Sequence, residues 1–272
     1  METVRKQLIL RTQGGFCNRI RAIVSAVLWA EDLGRELVIY WPIEPGHLPC
    51  ALGDLLVVES IPRLCCVHAG YLTKARQVLS VDDMAMVVRM FSDSDEIRIE
   101  SYAEFHPEVD QVRGKVLLRQ IRILPELELQ ADVLWKKMGG ASDWLAVHFR
   151  GTDHRKCLAQ SPLGAFFQRI DTNYKNRNIL LITDENGVKG MFRDRYWALV
   201  AVADLPLGRR TMEEQRAGVV EWLLMQKCGM ILGSAGSSFS SLAARRSGGV
   251  YDAAFVAFDA AAAAAAAAEA KA

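Results

Sequence analysis

Six consecutive residues, His148-Phe149-Arg150-Gly151-Thr152-Asp153, set an imidazole, a guanidinium, a hydroxyl and a carboxylate at the end of an apolar run that begins at Trp144. Polar groups are costly to bury without partners, so this cluster points either to a ligand or to internal pairing. His148 and Arg150 are two positions apart, which on an extended chain places them on one face. From that face Arg150 can make forked, charge-assisted hydrogen bonds to a diphosphate. Asp153 is a candidate general base for a reacting hydroxyl, and its rival role is to orient Arg150. A plain Arg150–Asp153 surface pair fits the same residues.

Three other segments carry chemistry of the same kind. Gly14-Gly15-Phe16-Cys17-Asn18-Arg19 puts two glycines before a helical pattern, which permits positive φ and close approach of a ligand. The helix N-terminus that follows receives negative charge, with Asn18 and Arg19 as further donors, although a tight turn alone needs the same glycines. Gly233-Ser234-Ala235-Gly236-Ser237-Ser238-Phe239-Ser240-Ser241 gathers small residues and hydroxyls before apolar Leu242-Ala243-Ala244. That is the composition of a nest of N–H and O–H donors for phosphate, or of a serine-rich linker. Glu221 lies within the apolar run Val219–Leu224. It suits the adjacent N1–H and N2–H donors of guanine, and equally the exposed side of an amphipathic helix.

The elements that must hold these segments alternate between strand and helix, the pattern of an α/β protein. Gln7–Arg11 predicts a strand, Asn18–Leu33 a helix, and Glu36–Trp41 a second strand. Leu64–His68 and Glu96–Glu100 read as strands, Asp82–Met90 as a helix, and the stretch 114–123 as a helical join. In the second half Trp144–Arg150, Asn178–Thr183, Val200–Ala203, Met230–Gly233 and Gly249–Tyr251 read as strands. Helical segments there are Pro162–Thr172 and Thr211–Cys228, the second opened by a Thr211/Glu214 capping box. Two Rossmann-like halves, 1–120 and 121–258, with an alanine-rich tail from 259 to 272, fit this order.

In this order the loops resemble the motifs of the fucosyltransferase superfamily, which includes protein O-fucosyltransferases and α1,6-fucosyltransferases. The glycine-Asn loop 14–19, the His-x-Arg-x-Thr-Asp pattern of 148–153 and the Ser-Ser-Phe-Ser run of 237–240 carry the resemblance. Thr183-Asp184 is similar to a mid-domain Thr-Asp, and Glu221 falls where an Asp usually contacts guanine. The resemblance implies a GT-B fold, two Rossmann-like domains facing across a cleft, with GDP-fucose as donor. It also implies inversion at the anomeric carbon, no required metal and no cofactor. Arg150 would hold the β-phosphate, His148 and Glu221 the nucleoside, and Ser237, Ser238 and Phe239 the diphosphate. Asn18 would lie toward the sugar or acceptor and, with Arg150 and Asp153, form the catalytic set. Gly14, Gly15, Phe16, Arg19, Thr152, Thr183, Asp184 and Ser240 complete the donor side. Glu for Asp at 221, and Gly151 where some branches carry Arg, are departures from the pattern.

Composition excludes other classes. The 33 basic and 32 acidic residues leave a net charge of +1, without the excess that nucleic-acid binding needs. The six cysteines form no C-x-x-C pair and have no zinc spacing, which predicts buried thiols. No run is long enough to span a bilayer and Met1–Gly15 lacks a signal-peptide core, so a cytoplasmic protein is expected. The partners expected are a GDP-sugar donor and a glycan, protein or small-molecule acceptor. Asp93-Ser94-Asp95 offers a rival, the D-x-D metal site of a GT-A transferase. A non-catalytic nucleotide-sugar or glycan-binding protein of the same fold would use the same donors.

Overall fold

The computed structural model describes residues 5–70, 72–151 and 155–254, with the side chains of 155–157 excepted. The chain divides into two compact units, one of residues 1–139 with 204–224, the other of 140–203 with 225–272.

The first unit contains β1 (Gln7–Thr12), α1 (Phe16–Asp32), β2 (Glu36–Tyr40), β3 (Leu64–His68), β4 (Arg76–Gln77), α2 (Val81–Phe91), β5 (Glu96–Ser101), α3 (Val112–Gln120) and α4 (Pro125–Lys137). The strands pair in the order β3-β2-β1-β5-β4, all parallel, with β1 in the centre. Ile9 and Val38 pack with Leu72 on one face. The two-residue alternation sends Leu8, Leu10, Leu37 and Ile39 to the other, where all are fully buried. Thirteen residues of the 17-residue α1 are buried, so it is a core helix wedged against β1, β2 and α3 rather than a surface one.

The second unit contains β6 (Leu145–Phe149), α5 (Arg155–Gln160), α6 (Leu163–Asn173), β7 (Ile179–Thr183), α7 (Asn186–Tyr196) and β8 (Val200–Ala201). After α8 (Met212–Lys227) follow β9 (Met230–Ser234), α9 (Ser238–Ser247) and β10 (Val250–Ala254). Its parallel sheet runs β10-β9-β6-β7-β8. The first strand is central, two strands lie to one side and two to the other, which is the Rossmann order. Leu145, Val147, Phe149 and Leu181 point to one face, with Phe166 of α6 and Phe192 of α7 in the same buried cluster.

α8 begins with the expected capping box. Glu214 N–H donates to Thr211 Oγ1 at 3.1 Å, and Thr211 N–H donates to Glu214 Oε2 at 3.1 Å. Most of this helix, residues 212–224, belongs to the first unit, where Trp222 meets Phe16 edge-on with ring centroids 5.6 Å apart.

The sequence pattern drew one boundary at residue 120; the contacts draw it after Gly139. The physical reason is α4. Leu56 bridges Ile123, Leu124 N–H donates to Leu55 O at 3.1 Å, and Leu127 and Ala131 are buried. The Arg216–Glu126 ion pair, at 2.9 Å, then ties α4 to α8. The join expected over 114–123 is α3, which ends at Gln120 before that bridge. None of the described helices is long and apolar enough to cross a membrane.

Candidate functional site

In the Rossmann order of the second unit the chain reverses direction between β6 and β9, and ligands of open α/β sheets sit outside the carboxyl ends of strands at such a point. The two strongest segments of the sequence occupy that edge. β6 delivers His148 and Arg150, and β9 delivers Ser234 and the turn into α9.

Hydrogen bonds through one serine knit the two ends together. Ser234, buried between them, accepts from Arg150 N–H at 3.1 Å and donates to His148 O at 3.4 Å. Asp184, just past β7, accepts from Gly151 N–H through Oδ1 at 2.7 Å. Thr183 is buried, and its Oγ1 accepts from Glu185 N–H at 3.2 Å. Thr183 and Asp184 thus shape the loop that carries Arg150. A Cβ on Gly151 would come within 2.4 Å of Glu185 Oε2 and 3.0 Å of Phe149 Cε1, so no larger residue fits there without moving Glu185.

The second loop is a turn in which Ser237 N–H donates to Ser234 O at 3.1 Å, with Gly236 at φ +73°. That backbone is one glycine adopts without strain. Ala235 N–H is held by buried Ser161 Oγ at 2.8 Å. Gly233 permits a close approach, since a Cβ there would stand 2.3 Å from Ser240 Oγ. α9 therefore lies directly on β9, aimed by that contact. Ser240 itself is buried, with its Oγ 3.5 Å from the Tyr251 hydroxyl, and is a packing residue.

Ser237 is the N-cap of α9, but its side chain caps nothing. Its Oγ lies instead 3.4 Å from His148 Nδ1. The His148 ring also rests against Phe239, with centroids 5.1 Å apart. The first turn of α9 has no acidic residue, Arg245 and Arg246 stand in its last turn, and Ser238 and Phe239 are half-buried. A helix start of this kind presents backbone N–H groups and positive potential to an anion. The edge thus combines a guanidinium-bearing loop, serine hydroxyls, helix N–H groups and an imidazole–phenyl pair. Thr152 and Asp153 lie outside the described residues.

The first unit has its own switch point, between β1 and β5, and the glycine loop occupies it. Gly14 adopts φ +75°, and a Cβ there would meet Asn18 Nδ2 at 2.9 Å. Gly15 is the extended N-cap of α1, and Asn18 is half-buried in its first turn.

Two residues of this loop do not do what the sequence suggested. The Arg19 side chain has no accessible surface. Its guanidinium donates to Gly14 O at 2.8 Å, Pro42 O at 2.7 Å and Glu44 Oε2 at 3.0 Å, and lies 4.7 Å from the Trp41 ring centroid. It is a strut that fixes the loop from behind, not a group offered to a ligand. Phe16 is likewise a core residue, buried against Trp222. Burial pushes the neighbouring Cys17 thiol far up, which leaves it inert as a nucleophile at neutral pH.

Glu221 is half-buried in the part of α8 that belongs to the first unit, whereas His148 and Ser237 belong to the second. Asp93 and Asp95 flank a turn wrapped around the buried Arg35, which donates to the carbonyls of Ser92, Ser94 and Asp95. This turn precedes β5, at the amino edge of the sheet and opposite the edge where ligands bind. Among the described residues no group of three or more His, Cys, Asp or Glu is arranged to hold a metal ion.

Sequence reasoning missed Ser161, Ser234, Glu185 and Tyr251 as site residues. Ser234 stood inside a quoted motif, whereas nothing local marks Ser161, which precedes Pro162 and acts on a loop 74 positions away.

The fold has known counterparts. Fucosyltransferase NodZ from Bradyrhizobium superposes with a TM-score of 0.66 at 18% identity, covering 89% of this chain and 93% of that one. The fold is fucosyltransferase-like. NodZ α-1,6-fucosyltransferase co-crystallised with GDP gives 0.62 at 16% identity, over 89% and 92% of the two chains. POFUT1 in complex with GDP-fucose gives 0.62 at 10% identity, over 94% and 100%. No family model matches the chain, and no curated protein matches it in sequence. What is shared with these structures is therefore architecture: two parallel-sheet α/β units of the GT-B kind.

Proposed function

We propose that this chain is an inverting glycosyltransferase that moves fucose from GDP-fucose to a hydroxyl of a glycan, protein or small-molecule acceptor, without a metal or other cofactor. The observation that carries the reading is the β6/β9 edge, where Arg150, Ser237 and the start of α9 converge at the switch point of a fold whose solved counterparts include GDP and GDP-fucose complexes.

In such a transfer the bond between the anomeric carbon and the diphosphate oxygen breaks while an acceptor oxygen bonds to that carbon from the opposite side. Positive charge develops on the sugar and negative charge on the departing β-phosphate. Arg150 takes that charge through forked hydrogen bonds, and the N–H groups of Ser238 and Phe239 stabilise it at the helix start. The backbone that carries these donors is already held, because Ser234, Asp184 and Ser161 fix the two loops. His148, braced by Ser237 and Phe239, lines the nucleoside side, and Glu221 reads guanine. Asp153 takes the acceptor proton, and Asn18 orients the sugar or acceptor. Arg19 and Phe16 act through the shape of their loop alone.

The test is a calorimetric titration with GDP, UDP and ADP, with and without EDTA, on the wild type and Arg150→Ala. Selective GDP binding, indifferent to EDTA and weakened in the variant, is expected. With an acceptor in hand, Arg150→Ala should lower kcat by about 10²–10³-fold, as for other transition-state donors. A preference for UDP with a metal requirement would overturn the reading.

A further inference from the structure

The amino edge of the second unit's sheet carries a separate feature. A cavity of about 380 Å³ opens there, floored by Ile170 and Ile179 and walled by Tyr174, Tyr196 and Trp197. It lies before β7 and β8 begin, at the end of the sheet opposite the Arg150 loop.

Trp197 is out of place on two counts. It occupies the C-cap of α7 at φ +48°, ψ −121°, in the left-handed half of backbone space that glycine, not a bulky residue, fills without strain. Its side chain is unburied as well, with 81% of the residue's surface exposed, the largest fraction among the exposed large apolar residues described. A strained backbone that holds a large aromatic in water is a feature found at binding sites.

Around the ring stand polar groups that are already positioned. Asp171 accepts from the Tyr196 hydroxyl at 3.0 Å and pairs with Arg195, whose guanidinium lies 5.0 Å from the Phe167 ring centroid. Each carboxylate oxygen keeps a second lone pair for another donor. Asn176, at φ +66°, and Lys175 complete the rim.

The geometry points to a carbohydrate-binding site at Trp197, distinct from the β6/β9 edge and taking a neutral oligosaccharide whose sugar rings have flat equatorial faces. Such a ring offers a weakly positive C–H face to the negative face of an indole, and directs its hydroxyls outward in the ring plane. Asp171, Asn176 and Lys175 supply an acceptor and donors at that perimeter. A purine would stack on the same indole, but a planar base gains most from a second ring on its other face, and among the described lining residues Trp197 is the one exposed aromatic. The site holds the oligosaccharide to the protein and takes no part in bond making.

The experiment titrates the full chain with cellotriose, maltotriose and adenosine by calorimetry, and with GDP in parallel. Cellotriose is expected to bind at concentrations of about 1–10 mM, with maltotriose weaker because its linkages curve the chain. Trp197→Ala and Trp197→Gly should each weaken cellotriose binding by at least about tenfold and leave GDP binding as in the wild type. The glycine variant suits that backbone, so its loss of binding reports the missing ring and not misfolding. No binding of cellotriose by the wild type, undiminished binding by both variants, or Trp197-dependent binding of adenosine alone would each overturn the proposal. The GDP arm reads the other edge of the sheet, so its failure would count against the donor reading and not against this one.

Discussion

Replacing Arg19 separates a strut from a ligand contact. Arg19→Met keeps an apolar stem over Trp41 but removes the donors to Pro42 O, Gly14 O and Glu44. The Pro42 carbonyl is buried, and leaving it unpaired costs about 1–3 kcal/mol. The Gly14 and Glu44 oxygens are only part-buried and recover water, so each lost bond is worth roughly 1 kcal/mol. The sum, about 3–5 kcal/mol, matches the usual result of removing one partner from a buried ion pair. In urea unfolding followed by tryptophan fluorescence, a slope near ~2 kcal/mol per molar turns that loss into a midpoint lower by about 2 M. Arg19→Lys should recover only part of it, because an ammonium cannot reproduce the planar fork. GDP affinity, measured where the variant remains folded, should change by less than about threefold. A stability loss below about 1 kcal/mol with a large fall in GDP affinity would refute the strut and restore Arg19 to the ligand.

Gly233→Ala should destabilise the second unit by about 1–3 kcal/mol and weaken GDP binding, since its Cβ would push α9 away; Ser240→Gly in the same chain should rescue part of both, read by a double-mutant cycle. Gly151→Ala should lower GDP affinity with little effect on melting temperature, and Glu185→Ala beside it should restore the affinity. Burial opposes ionisation of Asp32, but hydrogen bonds from Arg113 and His106 outweigh it and hold its carboxyl below the usual range. Its contribution to stability is therefore fully present above the ordinary Asp value of about 3.9 and is lost as pH falls through the lower folded value. Melting curves of the wild type and Asp32→Asn between about pH 6 and 2 should accordingly converge at the acid end.

The strands that read clearly in the sequence are those buried on both faces. β6 and β7 are apolar runs interrupted only by His148 and closed by Thr183, and they stand where the pattern put them, within one residue at each end. α1 and α8 are long and rich in apolar residues, and α8 announces its start with a capping box. α7 does not register, because its buried residues, Val188 and Phe192, make a stripe one residue wide and Gly187 and Gly190 interrupt it. α4 is concealed in the same way by Leu127 and Ala131. At the site, the loop motifs are legible because diphosphate chemistry restricts their residue types. The roles of Arg19 and Phe16 are not, because a loop sequence does not say which side chains turn outward to a ligand and which turn back into the core. Ser161 shows the other limit, a contact made only when distant loops meet in the folded unit.

The path of the chain through α8 has a consequence for synthesis. The first unit's α8 segment, 204–224, is translated only after β6, β7 and β8 of the second unit have been made. At ~5–20 residues per second the ribosome spends on the order of ten seconds between Gly139 and Leu224. Throughout that interval Phe16 lacks its edge-on partner Trp222, and apolar surface on the nascent first sheet stays open to whatever lies near. An N-terminal fragment ending at Gly139 would remain permanently in that state, so chaperone holdases should bind the fragment far more than the finished chain.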